Sequence, residues 1–137
     1  LLAKEMDVKE KVNFLGFIDP KQRFQAIAQH DICVLPLTLT SIGSRYTSPL
    51  KLFEYMAMRK PVVISDFPSI RDVVDEKAVS FADSGDAQSF AQQIKLLREE
   101  PQRTSEKINH ARSLVENYYN WDKRAETILH TINKLIS

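Results

Sequence analysis

Two short, continuous apolar runs limit what this chain can fold into more than any other feature. Ile32-Cys33-Val34-Leu35 ends at Pro36, and Pro61-Val62-Val63-Ile64 ends at Ser65. Neither alternates between apolar and polar residues, so neither suits a strand with one wet face. Each reads as a strand buried on both faces. Helical periodicity surrounds them. Asp19-Pro20 is a cap followed by a first-turn proline, and Phe24, Ile27 and Ala28 then predict a helix over 20–29. A second helix is expected from Ser48 to about Met58. A strand signal at Val12-Asn13-Phe14-Leu15, punctuated by Gly16, precedes these elements; a short helix from Pro68 and a strand at Val79–Ala82 follow. Strands alternating with helices predict an α/β unit with a parallel sheet of about four strands flanked by helices. After Gly85 the pattern is helical only, marked by Phe90, Ile94 and Leu97, then Ile108, Ala111 and Val115, then Ile128, Leu129, Ile132 and Leu135. The chain is thus expected to be one domain, with an α/β part at 1–85 and C-terminal helices at 86–137.

Composition removes several classes of function. A net charge of +1 over 137 residues gives no global attraction to nucleic acid or to an anionic membrane. No apolar run approaches the length of a membrane span. Cys33, the single cysteine, lies inside an apolar run and is expected as a small buried hydrophobe; one cysteine makes no internal disulfide, which fits a reducing, cytoplasmic setting. Leu1-Leu2 opens the chain without a Met, and Leu1–Val8 reads as the end of a helix already under way, so a piece of a longer protein is expected.

His30, His110 and His130 share no metal-ligand spacing and read as solvated helix residues. Asp72, Asp75 and Glu76 read as a solvated acidic face. Tyr118, Tyr119 and Trp121 flank a helix start capped by Asn120, and packing is expected of them rather than stacking on nucleic acid.

The stretch with chemical content is Arg45-Tyr46-Thr47-Ser48-Pro49-Leu50-Lys51-Leu52-Phe53-Glu54-Tyr55-Met56-Ala57. Ser48 suits an N-cap and Pro49 the first helical position. A surface helix usually carries an acid in its first turn; this one carries Lys51, with Arg45 just upstream. Positive side chains at the positive end of a helix dipole are favourable when a phosphate sits there. The plainer alternative is an ordinary Ser-Pro helix start with Lys51 and Glu54 as a weak exposed pair. The long Leu37–Thr47 loop leads out of a strand into this helix, and ligands of open parallel sheets bind at that edge.

In order and spacing, four segments resemble the C-terminal, donor-binding domain of retaining glycosyltransferases with the GT-B fold, the "group 1" family that uses nucleotide-diphosphate sugars. They are Val12–Gly16, Asp31–Pro36, Ser48–Ala57 and Lys60–Val63, and the likeness continues through Asp66-Phe67-Pro68-Ser69-Ile70 to the terminal helices. The resemblance implies a Rossmann-like sheet and a partial GT-B C-terminal domain. It also implies that backbone N–H groups at Ser48, Pro49 and Leu50 face the donor diphosphate, that Lys51 adds charge there, and that Glu54 holds the ribose hydroxyls. Tyr46 and Thr47 would complete the donor site, with Arg45 as an additional phosphate contact. The substrate implied is a UDP-sugar or a GDP-sugar, with no metal and no cofactor.

Three departures from the family pattern stand out. The usual motif spaces two acids by seven residues; here the second is Glu54 and the first position is Tyr46, which hydrogen-bonds but carries no charge. Arg59 stands where Gly commonly ends the helix, and a left-handed conformation there would cost about 1 kcal/mol. The family's two opening strands and its N-terminal domain, with the acceptor site, are missing. A gap between the Val12 and Ile32 strands would expose unpaired backbone, so the fragment is expected to close up, to pair with another chain, or to belong to a longer protein. The last helix would likewise expose an apolar stripe prone to self-association, and in a full-length protein a peripheral position at the inner membrane face is also compatible. The expectation is a glycosyltransferase fragment that would not turn over alone. The alternatives are a non-catalytic α/β interaction or regulatory module and a sugar-nucleotide epimerase of the same fold.

Overall fold

The computed structural model describes residues 2–37 and 49–136. Its centre is a three-stranded, all-parallel sheet in the order β1 (Cys33–Leu35), β2 (Val62–Ser65), β3 (Ser80–Ala82). Cys33 stands opposite Val62, and Val63 opposite Ser80. All four residues of β2 are buried, as the unbroken apolar run predicts for a strand covered on both faces; β1, expected to be the same, lies at the sheet edge and leaves Val34 37% exposed. Val62 and Ile64 join Leu35, Phe67, Ile70 and Val79 in the larger core. Val63, pointing the other way, packs with Ala82, Phe90 and Leu97.

Helices α1 (Leu2–Glu5) and α2 (Arg23–Ala28) precede β1, and α3 (Leu50–Ala57) joins β1 to β2. The short α4 (Pro68–Arg71) follows β2, with Pro68 in its first turn. The tail is helical as expected: α5 (Ala87–Glu99), α6 (Pro101–Asn117) and α7 (Trp121–Ile136). Asp86 caps α5 by accepting from the N–H groups of Gln88 and Ser89, and the Asn120 carboxamide caps α7 by accepting from Lys123 N–H at 2.8 Å. The helix expected over 20–29 begins only at Arg23; Asp19 instead shapes a turn by accepting from Lys21 N–H at 2.8 Å.

The strand expected at Val12 does not form. Residues 12–19 have no regular structure, with Phe14 80% and Phe17 91% exposed. The local pattern is strand-like, but a strand needs a hydrogen-bonded neighbour and a face to bury against, and among the described residues nothing pairs with it. The sheet therefore has three strands among these residues rather than about four, and the Val12 segment does not close onto β1.

Of the three aromatics before α7, Tyr119 packs as expected. Its ring lies 5.2 Å from that of Phe53 and its hydroxyl donates to the Val73 carbonyl at 2.7 Å. Tyr118 and Trp121 stay exposed. Asp72, Asp75 and Glu76 are exposed, as expected of a solvated face, and Glu76 joins a network built on Asp66. Arg71 grips both oxygens of Asp66, pairs with Glu76 and lies over the Phe81 ring. That grip holds the Asp66 carboxyl below its ordinary range.

Candidate functional site

All three strands point their carboxyl ends at the edge from which β1 leaves through Pro36 and Leu37 and to which the chain returns at Pro49. Two serines pin that exit. Ser65, fully buried at the end of β2, accepts from Leu37 N–H at 2.8 Å and donates back to its carbonyl at 3.1 Å. Ser84 donates to the same carbonyl at 3.0 Å. Neither serine stood out in the sequence, although a Ser closing a wholly buried strand must find partners.

Arg45, Tyr46, Thr47 and Ser48 lie outside the described residues. Pro49 is extended, with φ −72° and ψ 118°, and occupies the N-cap position, so α3 starts at Leu50, one residue later than expected. Pro49 carries no side-chain cap, and the first turn holds no acid. The amides of Leu50 and Lys51 lack partners among the described residues, and both side chains are exposed. Among the described residues the helix start is therefore open and electropositive, with no acid beside it.

Two buried side chains, Leu52 and Met56, seat α3 on the sheet. At its far end Met58 N–H donates to the Glu54 carbonyl, Arg59 N–H to Met56 and Lys60 N–H to Tyr55. The last two bonds form a Schellman motif, with Arg59 left-handed at φ 55° where glycine is the usual occupant. Arg112 of α6 donates to the Ala57 carbonyl, placing a cation at the negative end of the helix.

Glu54 sits one turn above Lys51 but does not pair with it. Its carboxylate turns to α2, where Arg23 Nη1 lies 3.2 Å from Oε1; the Glu54 side chain is 17% exposed and that of Arg23 is 47% exposed. Arg23, like the two serines, did not stand out in the sequence, because nothing local marks it. Behind Glu54, burial pushes the Tyr55 hydroxyl and the Cys33 thiol upward, the Lys60 charge partly opposing the latter. Cys33 is thus held as a thiol, a poor nucleophile. Among the described residues no cluster of three or more His, Cys, Asp or Glu is placed to hold a metal.

Residues 1–100 match the family model described as glycosyl transferases group 1. The chain belongs to the group 1 glycosyltransferases. No curated protein sequence is detectably similar to it. Several solved structures share its fold. Sucrose-phosphate synthase from Thermosynechococcus elongatus superposes with a TM-score of 0.81 at 22% identity, over 98% of this chain and 33% of that one. HepE from Anabaena, in complex with UDP, gives 0.84 at 20% identity, over 96% of this chain and 35% of that one. The C-terminal domain of the group 1 family protein LpcC from Francisella tularensis gives 0.71 at 19% identity, over 88% of this chain and 60% of that one. The chain thus spans about a third of the length of the first two. At these identities the likeness is one of fold, and the fold is that of part of a Rossmann-like GT-B domain with a helical C-terminal tail.

Proposed function

We propose that this group 1 glycosyltransferase chain forms the donor side of its enzyme, holding the nucleotide-diphosphate part of an activated sugar. The single observation that carries this reading is the start of α3. Among the described residues it is an uncapped, acid-free helix N-terminus with Lys51 in its first turn, opening at the carboxyl edge of a parallel sheet, with Glu54 one turn above. Such a start attracts a diphosphate through free N–H groups and the helix dipole. Two carboxylate oxygens suit the vicinal hydroxyls of a ribose. Tyr46, Thr47 and Ser48 would continue the site on the side of the sugar, and Arg45 would add a phosphate contact. The Anabaena protein of the same fold carries UDP in one solved structure and UDP-glucose in another, which supports a nucleotide-sugar donor here, a UDP-sugar or a GDP-sugar being the two candidates to test.

In catalysis the chain's share would be electrostatic. As the diphosphate departs it gains negative charge, and a preorganised helix start with Lys51 stabilises that charge without a metal ion. The acceptor would be held elsewhere in the full-length enzyme. Calorimetric titration of UDP and GDP into the full-length protein tests the reading. One of the two should bind, and Glu54→Ala should weaken it about 10- to 100-fold, as expected for hydrogen bonds to a charged acceptor. Binding of neither nucleotide, or full affinity in Glu54→Ala, would remove the donor-site reading.

A further inference from the structure

We propose that Arg23 is a positioning residue for nucleotide binding: it orients the Glu54 carboxylate so that one oxygen is held and the other is presented to the ribose diol. The proposal rests on the donor-site reading above and adds to it a residue from a different helix. Four observations carry it. Glu54 has a cation on its own helix, Lys51, at a spacing that permits pairing, yet its carboxylate turns away from Lys51 to α2. The contact is one-sided: Arg23 Nη1 lies 3.2 Å from Oε1, while Oε2 has no partner among the described residues. A fork-on-fork guanidinium pair would occupy both oxygens; this geometry leaves Oε2 and a lone pair of Oε1 for two hydroxyls. Glu54 is also the more sheltered partner, at 17% exposure against 47% for Arg23, so the cation constrains the acid from the solvent side. Finally, Arg23 is itself held, its guanidinium 4.9 Å from the centre of the Phe24 ring.

A purely structural role, bracing α2 against α3, is the rival. Helix α2 has other anchors. Ile27 of α2 is buried, and Lys60 Nζ, just past α3, donates to the Ala28 carbonyl at 2.8 Å. Removing the Arg23 side chain therefore leaves α2 seated, and the effect on nucleotide binding can be read separately.

The test titrates the full-length protein with UDP, GDP and the 2′,3′-dideoxy counterpart of each. For the nucleotide that binds, Arg23→Ala should weaken affinity about three- to tenfold and leave affinity for the dideoxy analogue unchanged, because the analogue has no hydroxyls for Glu54. Arg23→Lys should recover part of the loss, since it keeps the charge but not the planar fork. Equal weakening toward both forms would make Arg23 a brace, and unchanged affinity toward both would make the ion pair incidental; either overturns the proposal. A wild-type protein that binds ribose and dideoxyribose forms equally tightly would instead refute the ribose role of Glu54, and the proposal would fall with it.

Discussion

Helices α3 and α7 are both amphipathic, yet they meet opposite fates. α3 has 8 residues and sinks Leu52 and Met56 to 1% and 0% exposure. α7 has 16 residues, carries a regular stripe of Ile128, Leu129, Ile132 and Leu135, and buries nothing. A hydrophobic stripe records that a helix has a partner face, but says nothing of where that face is. For α3 the partners are the sheet a few residues away in the chain and α6, which joins the same core through Ala111. For α7, among the described residues, no element covers the stripe. The same contrast separates β2, buried on both faces, from residues 12–19, where a strand-like pattern with large aromatics stays exposed.

One substitution made on both helices tests this contrast with the largest expected effect. Leu52→Ala empties a fully buried site and should cost about 2–5 kcal/mol in denaturant unfolding of the 137-residue chain. Leu129→Ala removes a side chain that is 59% exposed and replaces it with the better helix former, so the change should stay within about 0.5 kcal/mol. Comparable losses at both positions would break the comparison, since α7 would then have a partner the described residues do not contain. The same pair measured in the full-length protein sharpens it. A cost for Leu129→Ala that appears only there would locate the missing face in the rest of the protein.

A smaller effect is expected where α3's approach is anchored. Ser65→Ala deletes the hydroxyl that both accepts from and donates to Leu37 at the exit of β1. Part of the loss is softened because Leu37 N–H also reaches the Leu35 carbonyl at 3.0 Å, and Ser84 still holds the Leu37 carbonyl. A destabilisation of about 1–2 kcal/mol should follow, together with weaker nucleotide binding if the loop's exit sets the aim of the helix start. Unfolding midpoints identical to wild type would show that Ser84 alone suffices.

How much of this was legible in the sequence follows from the range of the interactions involved. The doubly buried β2, the parallel arrangement and the three tail helices depend on local patterning, and the sequence displays them; the same pattern misleads at β1, where Val34 stays 37% exposed. Lys51 and Glu54 belong to the same short stretch, so their placement on one helix was legible too. The partner of Glu54 was not: Arg23 is an ordinary exposed arginine on another helix, and only the packing of α2 beside α3 brings it within 3.2 Å. The Val12 segment failed for the converse reason. Its local signal was sound, but strand formation is decided by a neighbour, and the described residues supply none. Among the aromatics, Tyr119 could be told from Tyr118 and Trp121 only by the position of Phe53 and the Val73 carbonyl.

The exit of α3 gives the subtlest test, and the one in which sequence and structure agree on a cost. The Schellman motif requires a left-handed residue at position 59, and a side chain in that conformation is strained. Arg59 is exposed and has no hydrogen bond or ion pair through its side chain among the described residues, so its removal gives up little. Arg59→Gly relieves the strain but also gives the unfolded chain more freedom. The net gain should be about 0.5–1 kcal/mol in unfolding free energy. Arg59→Ala keeps the strain and should gain nothing. A stabilisation shared equally by both variants would show that the Arg59 side chain, rather than its backbone, carries the penalty. Stabilisation by Gly alone would establish that α3 is terminated at a conformational cost that its buried residues and the Arg112 contact outweigh, a balance that α7, with no buried side chain, has no means to strike.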